Sequence, residues 1–180
     1  MSRTALRREL ATFDRDQLAR IILDIYDCNK AAKDYLEFFL NPDVGKLRAK
    51  FDRALFKELK RSKWGNSKAR ISVIRRLLKD FLGFQPGAEA VHDAMLGVIV
   101  AALAEEHYLD YPKTMTEGVA GIMEQMVDHA FANGLPEKAL ADLDRILAPD
   151  SGYATGHMRR FLTSRLNEFL AEKGIHRSAR

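Results

Sequence analysis

One cysteine, five prolines and no apolar run long enough for a membrane are the first things this 180-residue sequence shows by default. Cys28 stands alone, so no intrachain disulfide and no cysteine-based zinc cluster can form. Its near neighbours are Asp27 and Lys30, with no histidine to activate a thiolate, and it reads as a buried or inert thiol. The longest apolar stretch, Ala94 to Ala104, spans eleven residues. A bilayer needs roughly 20, so this stretch reads as a buried core helix. Met1-Ser2-Arg3-Thr4 runs straight into a charged amphipathic segment without an apolar signal core. These features together predict a soluble, cytoplasmic chain.

The chemistry-bearing motifs are missing as well. There is no glycine-rich phosphate loop, no Gly-x-Ser-x-Gly elbow and no dinucleotide fingerprint. The histidines, His92, His107, His129, His157 and His176, are scattered, and none has metal-ligand spacing. Glu105, Glu106, His107 and Asp110, and again Glu124, Asp128 and His129, fall on helical faces where solvated charge is the ordinary reading. No catalytic, cofactor-binding or metal residue is therefore expected. A non-enzyme is favoured, with an inter-helix pocket for a substrate or small ligand kept as an alternative.

What is present is helical period. Hydrophobic residues make up 47% and charged residues 30%, enough to bury a core and stay dissolved. A short helix from Thr4 to Ala11 precedes Asp14, which with Gln17 has the spacing of a capping box. Leu18, Ile21, Ile22 and Ile25 then form an inner stripe, and Tyr26, Tyr35, Leu36, Phe39 and Leu40 carry apolar character on to the stop at Asn41-Pro42. Whether a break falls near Asn29 is left open. A helix over Val44–Leu59 turns Leu47, Phe51, Leu55, Phe56 and Leu59 inward. The next, capped by Asn66 or Ser67, carries Ile71, Ile74, Leu77, Leu78 and Phe81 on one face. An all-round apolar helix from Glu89 to Leu109 belongs at the centre of the core. Thr114 and Glu117 predict a second capping box. Gly134-Leu135 and Gly174-Ile175 predict left-handed glycine endings, and Pro136 a helix start. The expectation is a single all-α domain over 1–175, with eight or nine helices in an antiparallel bundle or a short stack of helical hairpins. Residues 176–180 read as a frayed basic tail.

Charge is unevenly placed. The chain is only +4, yet the segment from Lys57 to Lys79 is +8 and the rest sums to −4. Its cations are Lys57, Lys60, Arg61, Lys63, Lys68, Arg70, Arg75, Arg76 and Lys79, with Trp64 among them. A basic turn leading into a helix N-terminus beside an indole suits phosphates and one stacked base. The plainer reading is a solvated face paired to carboxylates such as Glu105, Glu106 and Asp110.

Several phrases in order carry a resemblance: Leu6-x-x-Glu9-Leu10, Gln17-Leu18, Asp24-Ile25-Tyr26, Tyr35-Leu36-x-Phe38, Asn41-Pro42, Lys68-Ala69-Arg70-x-Ser72-Val73 and Lys79-x-Phe81. Over roughly the first 135 residues the chain resembles an uncharacterised bacterial family of small all-helical proteins, a domain of unknown function. The resemblance implies an all-α fold and carries over no activity, cofactor or site residue. Two binding functions remain in view. One is an interaction or scaffold protein that meets a protein partner or a second copy of itself. The other is a nucleic-acid or polyanion binder using the basic segment.

Overall fold

The computed structural model describes residues 1–60, 69–106, 111–153 and 156–175. Nine helices and no strand are found among them. They are α1 (Arg3–Leu10), α2 (Arg15–Cys28), α3 (Lys30–Leu40), α4 (Val44–Leu59), α5 (Ile71–Gly83), α6 (Ala88–Glu106), α7 (Lys113–Ala132), α8 (Pro136–Leu147) and α9 (His157–Glu172). By backbone contacts the chain forms two compact units, Met1–Asp43 and Val44–Arg180.

The first unit is made of α1, α2 and α3. The expected capping box at α2 is complete: Gln17 N–H donates to Asp14 Oδ1 at 2.8 Å, and Asp14 N–H donates to Gln17 Oε1 at 3.0 Å. The open question at Asn29 resolves as a break. Asn29 has φ −130° and ψ 107°, and its Oδ1 accepts from Ala31 N–H at 2.9 Å and Ala32 N–H at 3.2 Å. A residue that ends one helix and caps the next turns the chain with a single-residue joint. Across the corner, Tyr26 Oη donates to Glu37 at 3.0 Å and Lys33 lies 4.9 Å from the Tyr26 ring centre. None of the three helices contains a buried residue.

The second unit holds the core. The apolar helix α6 is packed against α4, α5, α7, α8 and α9, as its lack of a polar face requires. α7 lies beside it with ten buried residues. Phe51 of α4 and Phe81 of α5 meet with ring centres 5.3 Å apart. α9 joins the same core through Met158, Leu162, Leu166 and Leu170. Close approach explains one glycine: a Cβ on Gly118 of α7 would collide with the side chain of Ile71 on α5. Both left-handed glycine endings form, with Leu135 N–H on Ala130 O at 2.8 Å and Ile175 N–H on Leu170 O at 2.9 Å.

Four local expectations are corrected. Thr114 is not an N-cap: α7 starts at Lys113, extended Pro112 holds the cap position, and Glu117 turns back to Lys113 at 3.5 Å. α5 starts only at Ile71, with Arg70 at the cap position and no side-chain cap bond, while Asn66 and Ser67 lie outside the described residues. Phe56 points outward at 57% exposure, because Leu55 and Leu59 already fill the inner face of α4. Cys28 is exposed rather than buried, as the last residue of a helix with no core beneath it.

Candidate interaction surface

Of the proposed basic site, Arg61, Lys63, Trp64 and Lys68 lie outside the described residues, as does Asp110. The described members come from α4 (Lys57), the residue just after it (Lys60), the cap position of α5 (Arg70) and α5 itself (Arg75, Arg76, Lys79). The amphipathic split of α5 is as its period predicts. Ile74, Leu78 and Phe81 are buried, and Arg75, Arg76 and Lys79 are exposed.

Arg70 is engaged rather than free. Its Nε donates to Glu58 Oε1 at 3.0 Å and a second guanidinium nitrogen to Oε2 at 3.2 Å, while its backbone N–H also donates to Oε1 at 3.0 Å. These bonds hold Glu58 below its ordinary value against the opposing push of burial, with Arg76 adding a smaller lowering field. Glu58 therefore splices the end of α4 to the start of α5. No ion pair involves Lys57, Lys60, Arg75, Arg76 or Lys79 among the described residues. Glu106, one of the expected partners, is otherwise occupied. Its Oε1 accepts the backbone N–H of Met158 at 2.6 Å and so caps α9 from the end of α6.

The titratable clusters of the sequence are parts of the scaffold. Glu124 takes Arg165 at 2.6 Å and Asp128 takes Lys173 at 2.9 Å, tying α7 to α9. His92 is wholly buried on α6, with Nε2 3.0 Å from Asp142 Oδ2 of α8. Asp142 also accepts from Arg145 at 2.9 Å. Burial raises the Asp142 carboxyl, but the bonds from His92 and Arg145 outweigh it and leave the group below its ordinary value. Lys138 adds a 2.7 Å contact with Asp93 between the same two helices. Desolvation, with Glu105 and Glu106 nearby, raises the Tyr111 phenol above its usual range. No group of three or more His, Cys, Asp or Glu able to hold a metal ion is found among the described residues.

The feature that sequence reading placed on the wrong side lies in the first unit. Ile22 and Ile25 of the expected inner stripe are exposed, and Tyr35, Phe39 and Leu40 of the apolar segment after it are exposed as well. Among the described residues, nine of the eleven large hydrophobic side chains left exposed belong to Met1–Asp43. Phe39 and Leu40 reach 67% and 72%. Periodicity identifies an apolar face but not what covers it. The available signal was shortness, since three small helices before Asn41-Pro42 hold too few large residues to enclose a core.

These observations define an all-α protein of two helical units, one with a packed core and one that leaves its amphipathic faces open. The chain belongs to DUF6155, a family of unknown function, whose family model matches residues 1–149. That match covers α1 to α8 and reaches somewhat beyond the phrases that carried the resemblance, with α9 outside it. No curated protein and no solved structure matches the chain. Among the described residues, no helix is long and apolar enough to cross a membrane.

Proposed function

We propose that this is a helical interaction protein of the bacterial cytoplasm, and that the α2–α3 pair is the face that meets a protein partner. The observation that carries this is the concentration of exposed Ile22, Ile25, Phe39 and Leu40 on a unit without a buried residue of its own in any helix. Large apolar side chains concentrated on one exposed unit are costly to keep in water, and a patch of them ordinarily marks a binding site. The test is site-specific photo-crosslinking in cells. A crosslinkable residue at position 39 should give discrete adducts, whereas one at exposed Glu117 of α7 should give none. Equal labelling at both positions would refute the reading.

A second reading, phosphate binding, is favoured by the exposed cations Arg75, Arg76 and Lys79 on one face of α5, with Lys57 and Lys60 on and just after α4. Its test is fluorescence anisotropy with single- and double-stranded DNA and RNA across a salt series. A log–log slope of about −0.9 per phosphate on duplex DNA, abolished by R75E/R76E/K79E, would favour it. No binding at low salt by a normally folded chain would retire it.

A further inference from the structure

Resting on the protein-partner reading, we infer that the partner of the α2–α3 face is a second copy of the same face, so that the protein forms a homodimer through its first unit. Three observations favour this occupant.

The first is a seam. From Leu18 through Ile22, Ile25, Asn29, Ala32 and Leu36 to Phe39, the spacing alternates steps of four and three without interruption. That four-three spacing lays an apolar stripe along one side of each helix. The chain turns at Asn29, so the stripe is shared by two separate helices, with Leu18, Ala32 and Leu36 half-buried. Ile22, Ile25 and Phe39 of that set are exposed.

The second is area. Ile22, Ile25, Tyr35, Phe39 and Leu40 are 40–72% exposed. Side chains of this kind offer on the order of 500 Å² of apolar surface per copy, which with the usual polar rim makes about 800 Å², one side of a standard interface.

The third is charge. Residues 1–43 carry seven Lys or Arg and eight Asp or Glu, whereas the remainder of the chain is net basic. A unit of mixed and nearly balanced charge repels a copy of itself little and offers a strongly acidic or basic partner no complementary field.

The experiment is sedimentation velocity on the purified full chain over a concentration series, with I22S/F39S beside it and F56S/F131S as the control. The wild type should move reversibly from 20.4 kDa toward twice that mass. I22S/F39S should weaken association by roughly tenfold or more per side chain, with circular dichroism unchanged because both positions are exposed. The control should associate as wild type does. Amine-reactive crosslinking of mixed light and heavy chains supplies a second readout, with mixed crosslinks expected at Lys30 and Lys33. A monomer at every concentration overturns the inference, as does a dimer indifferent to I22S/F39S whose mixed crosslinks lie beyond Asp43. A monomer in vitro whose position 39 still crosslinks to a different protein in cells would sink self-association and spare the partner reading. A monomer with no crosslinks would sink both.

Discussion

Gly118 and Gly121 lie three residues apart on α7, and alanine at the two positions should act with opposite sign. In a helix interior, Gly→Ala gains about 0.8–1 kcal/mol from backbone propensity alone. At Gly121 the nearest neighbour of a new Cβ is an Arg75 guanidinium nitrogen at 3.4 Å, the movable end of an exposed side chain. Most of the gain should survive there. At Gly118 the new Cβ would overlap Ile71 Cγ1 and lie 2.7 Å from Cδ1 and 3.1 Å from Ile71 Cβ itself. Relieving the Cγ1 and Cδ1 overlaps forces Ile71 out of its rotamer or α5 away from α7, and the Cβ contact asks a few tenths of an ångström more. Overpacking of this kind costs about 1–3 kcal/mol, leaving a net loss of up to about 2 kcal/mol and a gap of about 1–3 kcal/mol between the variants. Urea unfolding followed by far-ultraviolet circular dichroism measures both. I71A should be destabilising in the wild-type background and close to neutral, or even favourable, beside G118A, which gives a large coupling energy in the double-mutant cycle. G118A as stable as G121A, or an additive double variant, would refute the packing argument. The pair also bears on function, because the helix that carries Ile71 is the one that presents Arg75, Arg76 and Lys79.

Three further outcomes follow from contacts already described. E106A should remove the bond to Met158 N–H, speed hydrogen exchange in the first turn of α9, and cost about 1–2 kcal/mol. Glu58 and Asp142 sit below their ordinary values of 4.5 and 3.8. The stability they contribute is therefore full above those values and lost as pH falls through the lowered ones, so acid unfolding of E58Q/D142N should be less steep than that of wild type. Cys28, exposed at the end of α2, should react with one equivalent of a maleimide without denaturant, and no reaction would contradict its placement.

The fold was legible wherever a local rule has one solution. Asp14 with Gln17, Gly134 before Leu135, and Pro136 at a helix start each satisfy backbone groups that the sequence itself leaves open. α6 could only be central, having no polar side to offer water. Legibility ended where an outcome depends on competition between neighbours. Thr114 and Glu117 have the right spacing for a cap, but Pro112 and Lys113 begin the helix earlier. Phe56 is as apolar as Leu55, yet α4 has room on its inner face for only one of them. The same limit governs the candidate surfaces. The α5 cations could be placed outward from phase alone, whereas the Arg70–Glu58 pairing spans a turn whose path period does not dictate. The stripe on α2 and α3 was visible, but its openness depends on what is absent opposite it.

Asn29 provides the sharpest link from one residue to that open face. Its side chain occupies the N–H groups of Ala31 and Ala32, which in an unbroken helix would bond to the carbonyls of Asp27 and Cys28. Its own N–H already bonds to Ile25 O at 3.0 Å and its carbonyl accepts from Lys33 N–H at 2.9 Å, so the helix is interrupted by little more than one extended residue. In N29A the cap, worth about 0.5–2 kcal/mol, disappears and the replacement is the best helix former there is. Against continuation stand the packing of α2 against α3, the Tyr26–Glu37 hydrogen bond and the Lys33 contact on the Tyr26 ring, the last two worth about 1 kcal/mol or less each. Where the cap outweighs that packing, N29A fuses α2 and α3 into one helix. Spin labels at positions 18 and 36 in a Cys28→Ser background would then separate to about 27 Å along the axis, at 1.5 Å per residue, from a shorter distance across the corner. N29D, which keeps the cap, should retain the short distance. Were N29A to retain it as well, the corner would be held by packing of the helix pair rather than by its cap. The seam would then owe its shape to the contacts between α2 and α3, not to this asparagine.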